Sequence, residues 1–260
     1  MDTRSAVLLV AHPGHEVLVY GWITRTRPAV HVLTDGSGHT PSGRIGLTAD
    51  FLRSAGASQG AIFGRLSDRE AYSAILSAGV PLLSSLAAEL AGDLIARQAT
   101  AVVADAAEGY NPVHDLCRTI AGAACDIARR AGVDVRHYEY PVVDGAASFD
   151  GSAAPVEWLD LDDDALSAKI AAARRFSQQI TDVDELLAVH GQEAFRREPF
   201  RLVADWTVPP FGAGVHPRYE RFGEERVAAG HYSRVIRYRE HMAPLCQAIA
   251  AWVDSAQCVS

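Results

Sequence analysis

Apolar runs alternate with amphipathic stretches through the N-terminal half of the chain. Ala6-Val7-Leu8-Leu9-Val10 is continuously apolar, the pattern of a strand covered on both faces in a parallel sheet. It ends at Ala11-His12-Pro13-Gly14-His15-Glu16, after which residues 17–27 read as a helix stopped by Pro28. Val30-His31-Val32-Leu33 predicts a second strand, closed by the turn residues Thr34-Asp35-Gly36-Ser37-Gly38. Helical periodicity follows over residues 48–55, 68–77 and 81–97. Thr100-Ala101-Val102-Val103-Ala104 predicts a third strand and residues 105–110 a loop; Asn111-Pro112 opens a helix to about residue 131, and residues 133–140 alternate as a fourth strand. Strands separated by helices imply crossover connections, hence an α/β class with a mostly parallel sheet between two helical layers.

The second half has a different texture. Residues 144–155 are small and polar, 156–161 predict a strand, and Asp162-Asp163-Asp164 begins a helical pattern running to about residue 190. Acidic residues at a helix start suit its dipole, so that trio reads as a cap. Residues 198–223 are interrupted by Pro199, Pro209, Pro210 and Pro217 and read as loop-rich, and a final helix is expected over 232–254. No linker separates a second unit, so residues 1–260 are expected to form one domain: a core over about 5–145 and a helical, loop-rich extension over about 146–260.

Composition narrows the function. A chain of 260 residues that is 48% hydrophobic can build a large core, which excludes a disordered or fibrous protein. Thirty-two acidic against 24 basic residues give a net charge of −8, unsuited to phosphate neutralisation, so no nucleic-acid partner is expected. The first apolar segment is too short for a secretion signal and no run is long enough to span a bilayer, which points to the cytoplasm and no membrane partner. Cys117, Cys125, Cys246 and Cys258 form no CxxC, so neither a disulfide framework nor a zinc knuckle is indicated.

The chemistry concentrates in two turns. His12-Pro13-Gly14-His15 follows the first strand and Asn111-Pro112-Val113-His114 follows the third; each places proline at a first helical position and histidine two residues later. Histidines at helix N-termini are biased toward the neutral ring that a metal needs. Three from two strand ends supply three positions of a zinc site and leave the fourth for water. With ten histidines in the chain, the same spacing also fits polar caps, and spacing alone does not choose between the two.

The strand followed by Ala11-His12-Pro13-Gly14-His15-Glu16, with an Asn-Pro-x-His turn about a hundred residues later, resembles the PIG-L/LmbE family of zinc-dependent N-deacetylases. That family typically reads A-H-P-D-D-E and H-P-D-H on a Rossmann-like sheet. The resemblance covers roughly residues 5–145 and implies His12, His15 and His114 as ligands of Zn2+ or another divalent metal. It also departs from the pattern. The family's general base falls at Gly14, which has no side chain, and the histidine that assists at the oxyanion falls at Asn111, which can donate a hydrogen bond but not relay a proton. An all-histidine site carries more positive charge and acidifies water further. Otherwise a nearby carboxylate substitutes: Glu108 is preferred, with Glu16, whose family role is to orient a ligand, and Asp115 as alternatives.

The resemblance thus implies a metal-dependent hydrolase that cleaves an N-acyl bond on a small polar substrate such as an N-acetylated amino sugar. Two rivals stand beside it: a divergent member that binds metal or ligand without turnover, and an all-histidine centre used for lyase or redox chemistry. A homo-oligomer is compatible with all three. Arg44 and Arg53 are candidates for an anionic substrate, with solvated surface as the plainer role. The polar-aromatic run from His216 to His241, including Arg226, His231 and Tyr232, is a candidate lid or a solvated helix face.

Overall fold

The first apolar run forms β1 (Ala6–Val10), with every residue buried. Parallel neighbours pair with it on both edges, β2 (Ala29–Thr34) and β4 (Ala101–Asp105). With both edges paired and both faces covered, an unbroken apolar sequence is what the position demands. Three further strands were expected at or near β2, β4 and β5 (Arg136–Tyr140), and β6 (Val156–Asp160) also lies where its pattern predicted. Two more, β3 (Ser58–Leu66) and β7 (Arg197–Leu202), complete a seven-stranded sheet of order β3-β2-β1-β4-β5-β7-β6. The first five are parallel, and β7 and β6 add antiparallel at one edge. This computed structural model describes residues 5–38, 43–176, 187–188, 191–208, 210–211 and 214–255.

Alternate side chains of β1 divide between two cores. Val7 and Leu9 pack under α3 (Asp68–Leu76), α4 (Val80–Arg97), α5 (Pro112–Arg130) and a C-terminal helix, Ala243–Ser255. Leu8 and Val10 pack under α1 (Tyr20–Thr26), α2 (Ile45–Ala55) and α6 (Asp163–Phe176). The α/β three-layer class is therefore as the sequence predicted. On α5, a Cβ at Gly122 would lie 2.1 Å from the Trp206 ring, so only glycine lets that indole lie against the helix, where its Nε1 donates to Asp126 at 2.7 Å.

Several expectations needed correction. β3 was not anticipated because, as an edge strand, it buries only Ile62 and Leu66, carries two glycines and shifts register against β2, which leaves no clean alternation. β7 was read as loop because of Pro199; its pairing with β5 is confined to Arg201 and Leu202, so the missing N–H of Pro199 falls outside that ladder. The expected loop also contains the start of α7 (Arg218–Ala228), whose buried residues are only Tyr219 and Glu220. The final helix, here α8, is Ala243–Ser255, preceded by a π-helical turn at Tyr238–Met242. The predicted helix after the first strand begins instead as a 3₁₀ turn, His15–Val19. The expected continuation of α6 to residue 190 falls largely outside the described residues.

A buried polar knot ties the C-terminal strands to the first crossover. Glu198 on β7 is fully buried and accepts the N–H groups of Gly21 and Trp22, both at 2.9 Å, in the first turn of α1. Lys169, the single lysine of the chain, donates to Glu198 at 3.0 Å and to the Leu18 carbonyl at 2.6 Å. Removing one partner of such a pair strands a buried charge. Glu198→Ala is expected to lower unfolding free energy by about 3–5 kcal/mol in denaturant titrations, and Lys169→Met combined with Glu198→Leu should recover most of that loss. If the single substitution is near neutral, the knot does not hold the segments together.

His137 on β5 is 1% exposed and neither ring nitrogen has a hydrogen-bond partner. Burial, with Arg118 and Arg129 nearby, pushes its pKa down to about 3. The unfolded ring protonates near 6.5, whereas the folded ring resists until about 3, so stability is full above that window and falls as pH drops through it. Equilibrium unfolding of His137→Phe at neutral pH and at about pH 4.5 should show a shallower acid loss than the parent; parallel losses would assign the acid sensitivity elsewhere.

Candidate active site

The chain builds β1, β2 and β3 in one direction and β4 and β5 in the other, so a crevice opens beyond the carboxyl ends of β1 and β4 where the order reverses. Both histidine turns fall there. In the first, Gly14 has φ +106°, a left-handed conformation in which a side chain would be strained. The turn brings the His15 N–H to the His12 carbonyl at 3.4 Å. In the second, the Asn111 side chain caps α5 by accepting the Val113 N–H at 2.9 Å, Pro112 follows it, and His114 lies in the first turn, 4% exposed.

The three rings meet. Centroids lie 5.3 Å apart for His12 and His15, 5.2 Å for His12 and His114, and 4.6 Å for His15 and His114, with edge-to-face angles from 64° to 85°. Among the described residues no group of three or more His, Cys, Asp or Glu side chains is arranged to hold a metal ion as it stands. The rings are in contact without forming a coordination shell.

Surrounding acceptors fix two of the tautomers. His12 Nδ1 lies 2.7 Å from Thr34 Oγ1 and 3.0 Å from Asp68 Oδ1. Because Thr34 donates its own hydroxyl to the Ala11 carbonyl at 3.1 Å, its oxygen accepts from Nδ1, which carries the proton, while Asp68 Oδ1 has no hydrogen-bond partner. His12 Nε2 is left with a lone pair, and Asn111 Nδ2 stands 3.4 Å from it. His15 Nδ1 likewise donates to Asp105 Oδ2 at 2.7 Å, leaving its Nε2 bare. Asp105, fully buried, also accepts the Ala11 N–H at 2.9 Å and the Tyr140 hydroxyl at 2.9 Å. His114 Nδ1 is buried with no hydrogen-bond partner. Burial lowers the pKa of His12, and burial followed by the neighbouring histidines holds His114 well below the ordinary range. Both rings therefore stay neutral.

The carboxylates expected as bases are tied elsewhere. Glu108, the preferred candidate, accepts the backbone N–H groups of Val142, Val143 and Asp144 at 2.8–3.2 Å, so it clamps the segment after β5, and no hydrogen bond or ion pair links it to the rings. Glu16 accepts the Gly14 N–H at 2.8 Å and the Thr48 hydroxyl at 2.6 Å, holding the first turn against α2. Asp115 accepts the Gly109 N–H at 3.1 Å, and burial pushes its pKa up to about 8. Asp35 accepts the Ser37 N–H at 2.9 Å and orders its loop. Arg53 pairs with Asp50 on the surface, while Arg44 lines a cavity together with His12 and Asn111.

Asp68, Asp105, Thr34 and Tyr140 had not been singled out. Asp105 carried a signal in being polar at the end of an apolar strand. Asp68 did not: it opens α3 behind a Ser67–Glu70 capping box, where an acidic residue needs no further explanation. Burial alone would raise the Asp68 pKa, but its contacts with His12 and the hydrogen bond from the Gly38 N–H outweigh that and keep it ionised. Asp68 lines a cavity of about 730 Å³ together with His12, Asn111 and Arg44. This cavity adjoins one of about 560 Å³ and shares Tyr72, Asn111, His231, Tyr232 and Arg234 with it. Each is large enough for a small organic ligand.

Three solved structures share the fold. The A40926 pseudoaglycone deacetylase Dbv21 is 16% identical, with a TM-score of 0.53 over 78% of this chain and 98% of its own. A zinc-inhibited form of teicoplanin deacetylase Orf2 is 13% identical, with a TM-score of 0.51 over 77% of this chain and 100% of its own. A deacetylase of the teicoplanin biosynthesis pathway, solved as a complex with bog, is 14% identical, with a TM-score of 0.52 over 77% and 100%. At these identities the likeness is one of fold. No protein-family model matches the sequence, and no curated protein matches it. Among the described residues no helix is long and apolar enough to cross a membrane.

Asp105→Ala would strand the Ala11 N–H and the His15 Nδ1–H together and leave the Tyr140 hydroxyl only the His15 carbonyl, at 3.2 Å. Its unfolding free energy, from denaturant titration, is expected to fall by more than about 3 kcal/mol, against about 1–2 kcal/mol for Tyr140→Phe, which removes one donor. Equal losses would show that Asp105 is not the shared anchor.

Proposed function

We propose that the chain is a metal-dependent hydrolase of the PIG-L/LmbE type that cleaves an N-acyl bond on a small polar substrate such as an N-acetylated amino sugar. The observation that carries this reading is the contact of three histidine rings from two strand ends, two with their tautomers fixed by oxygen acceptors and the third with a buried, unpartnered nitrogen. Carboxylate or hydroxyl acceptors on the remote nitrogen are the usual support of metal-bound histidine. Solved proteins of similar fold are described as deacetylases, one as a zinc-inhibited form.

His12 and His15 would offer Nε2, with His114 as the third ligand of Zn2+ or another divalent metal. When bound, such an ion acidifies water and polarises a carbonyl. The chain's own groups divide the remaining work. Asn111 Nδ2 stands beside His12 and can donate to the oxygen that gains charge as water adds to the acyl carbon. Asp68, the one carboxylate among the described residues lining the cavity with His12 and Asn111, accepts a proton from water and returns it to the departing nitrogen as the C–N bond breaks. This assignment replaces Glu108, whose oxygens serve three backbone N–H groups. A binding protein without turnover draws on one specific fact, that Gly14, Glu16, Glu108 and Asp115 supply no free base.

Zinc content by mass spectrometry and amine release from N-acetylated amino sugars test the reading together. The parent protein should bind about one zinc and release amine; His114→Ala should lose metal. Asp68→Asn should keep metal and lose about 10²–10⁴ in kcat, while Glu108→Gln should stay within a few fold. Zinc bound without amine release from any sugar would favour the binding protein, and full turnover in Asp68→Asn would remove Asp68 as the proton acceptor.

A further inference from the structure

The cleft beside the rings is basic in an acidic chain. Arg44, Arg69 and Arg234 line its larger part, and Arg226 and Arg234 its smaller part, although the chain as a whole carries −8. They come from separate places in the fold: Arg44 precedes α2, Arg69 lies on α3, Arg226 on α7 and Arg234 in the segment after it. Several arginines elsewhere are matched with carboxylates: Arg53 with Asp50, Arg65 with Glu89, Arg97 with Asp93 and Arg237 with Glu224. Among the described residues Arg69, Arg226 and Arg234 have no carboxylate within ion-pair distance, and Arg234 meets only the His241 ring, at 3.4 Å. The two acidic side chains on the cleft are already engaged, Asp68 with His12 and Glu225 with Arg221 at 3.8 Å. Three guanidinium groups around one concavity repel each other unless an anion joins them.

Aromatic rings flank the same space. Tyr72 and Tyr232 lie 6.0 Å apart, and Tyr110 and Phe222 5.5 Å apart. Tyr110 is also 6.4 Å from His114, so the aromatic surface runs from the histidine trio toward the arginines. Faces of this kind pack against the apolar side of a ring-shaped substrate.

Resting on the hydrolase reading above, we infer that the substrate is an anionic N-acyl amino sugar: Arg69, Arg226 and Arg234 hold a phosphate or carboxylate group at the outer end of the cleft while the acylamino end reaches His12 and Asn111. Guanidinium pairs with either oxyanion through the same forked geometry. The arginines select among N-acyl sugars by charge, and their exposure leaves the attraction open to screening by salt.

Calorimetric titration of the full-length, zinc-loaded protein with N-acetylglucosamine, N-acetylglucosamine 6-phosphate and N-acetylmuramic acid reads binding without requiring turnover. At least one anionic sugar should bind about tenfold or more tightly than the neutral one, and raising sodium chloride should shrink that ratio. A gain confined to the phosphate sugar identifies phosphate, and a gain for the carboxylate sugar identifies carboxylate recognition. In the triple variant Arg69→Ala, Arg226→Ala, Arg234→Ala the ratio should fall toward one, with an unchanged thermal transition reporting an intact fold. Equal affinities in the parent, or a ratio that survives the triple substitution, overturn the inference. Amine release followed in parallel separates the two claims. Preferential binding without release removes the hydrolase reading and keeps the anion site; release without preference does the reverse.

Discussion

A buried carboxylate is tolerated only when its oxygens are filled, and Asp105 meets that condition with three donors from three parts of the chain. It ends β4, accepts the N–H of Ala11 just beyond β1, the hydroxyl of Tyr140 at the end of β5, and Nδ1 of His15. The geometry of the histidine trio depends on this anchor. It joins the central parallel strands at their carboxyl ends and determines which nitrogen of His15 faces inward. A position at the switch in strand order makes the arrangement feasible, because only there do two adjacent strands send their following turns apart and leave room between them.

The other acidic groups near the crevice obey the same rule with a different result. Glu16 and Glu108 fill their oxygens with backbone N–H or hydroxyl donors, and each stabilises the loop from which a candidate base was sought. Burial pushes both upward in pKa, and the hydrogen bonds from backbone donors work against it. A carboxylate committed in this way shapes the site without reaching into it. Asp68 differs in facing the cavity, with His12 and the Gly38 N–H as its partners.

The C-terminal segments complete both the sheet and the cleft. β7 is locked to the first crossover through Glu198 and Lys169, while α7 and the segment after it supply Arg226, His231, Tyr232 and Arg234 to the wall opposite α3. The local excess of arginine would be costly in a closed interior, but the groups are exposed and water screens them until a ligand takes its place.

Local pattern determined most of the framework. Continuous apolar runs such as Ala6–Val10 and Ala101–Ala104 announce strands buried on both faces, and a proline-opened helix with asparagine before it announces α5, because burial and capping act over a few residues. His12, His15 and His114 were legible for a similar reason, each standing in a turn whose place after a strand follows from chain order. β3 and β7 were hidden, since an edge strand buries too little to show a period and Pro199 is harmless only where no neighbour needs its N–H. The partners of the histidines were hidden as well: Asp68 lies over fifty residues from His12 and Asp105 lies 90 from His15, and nothing in a one-dimensional pattern measures the distance between a helix start and a strand end. Sequence alone determined which elements form and which residues can carry chemistry. Tertiary packing decided which carboxylates are consumed by backbone donors and which reaches the cleft, because hydrogen-bond satisfaction in a buried site is settled by neighbours that only the fold brings together.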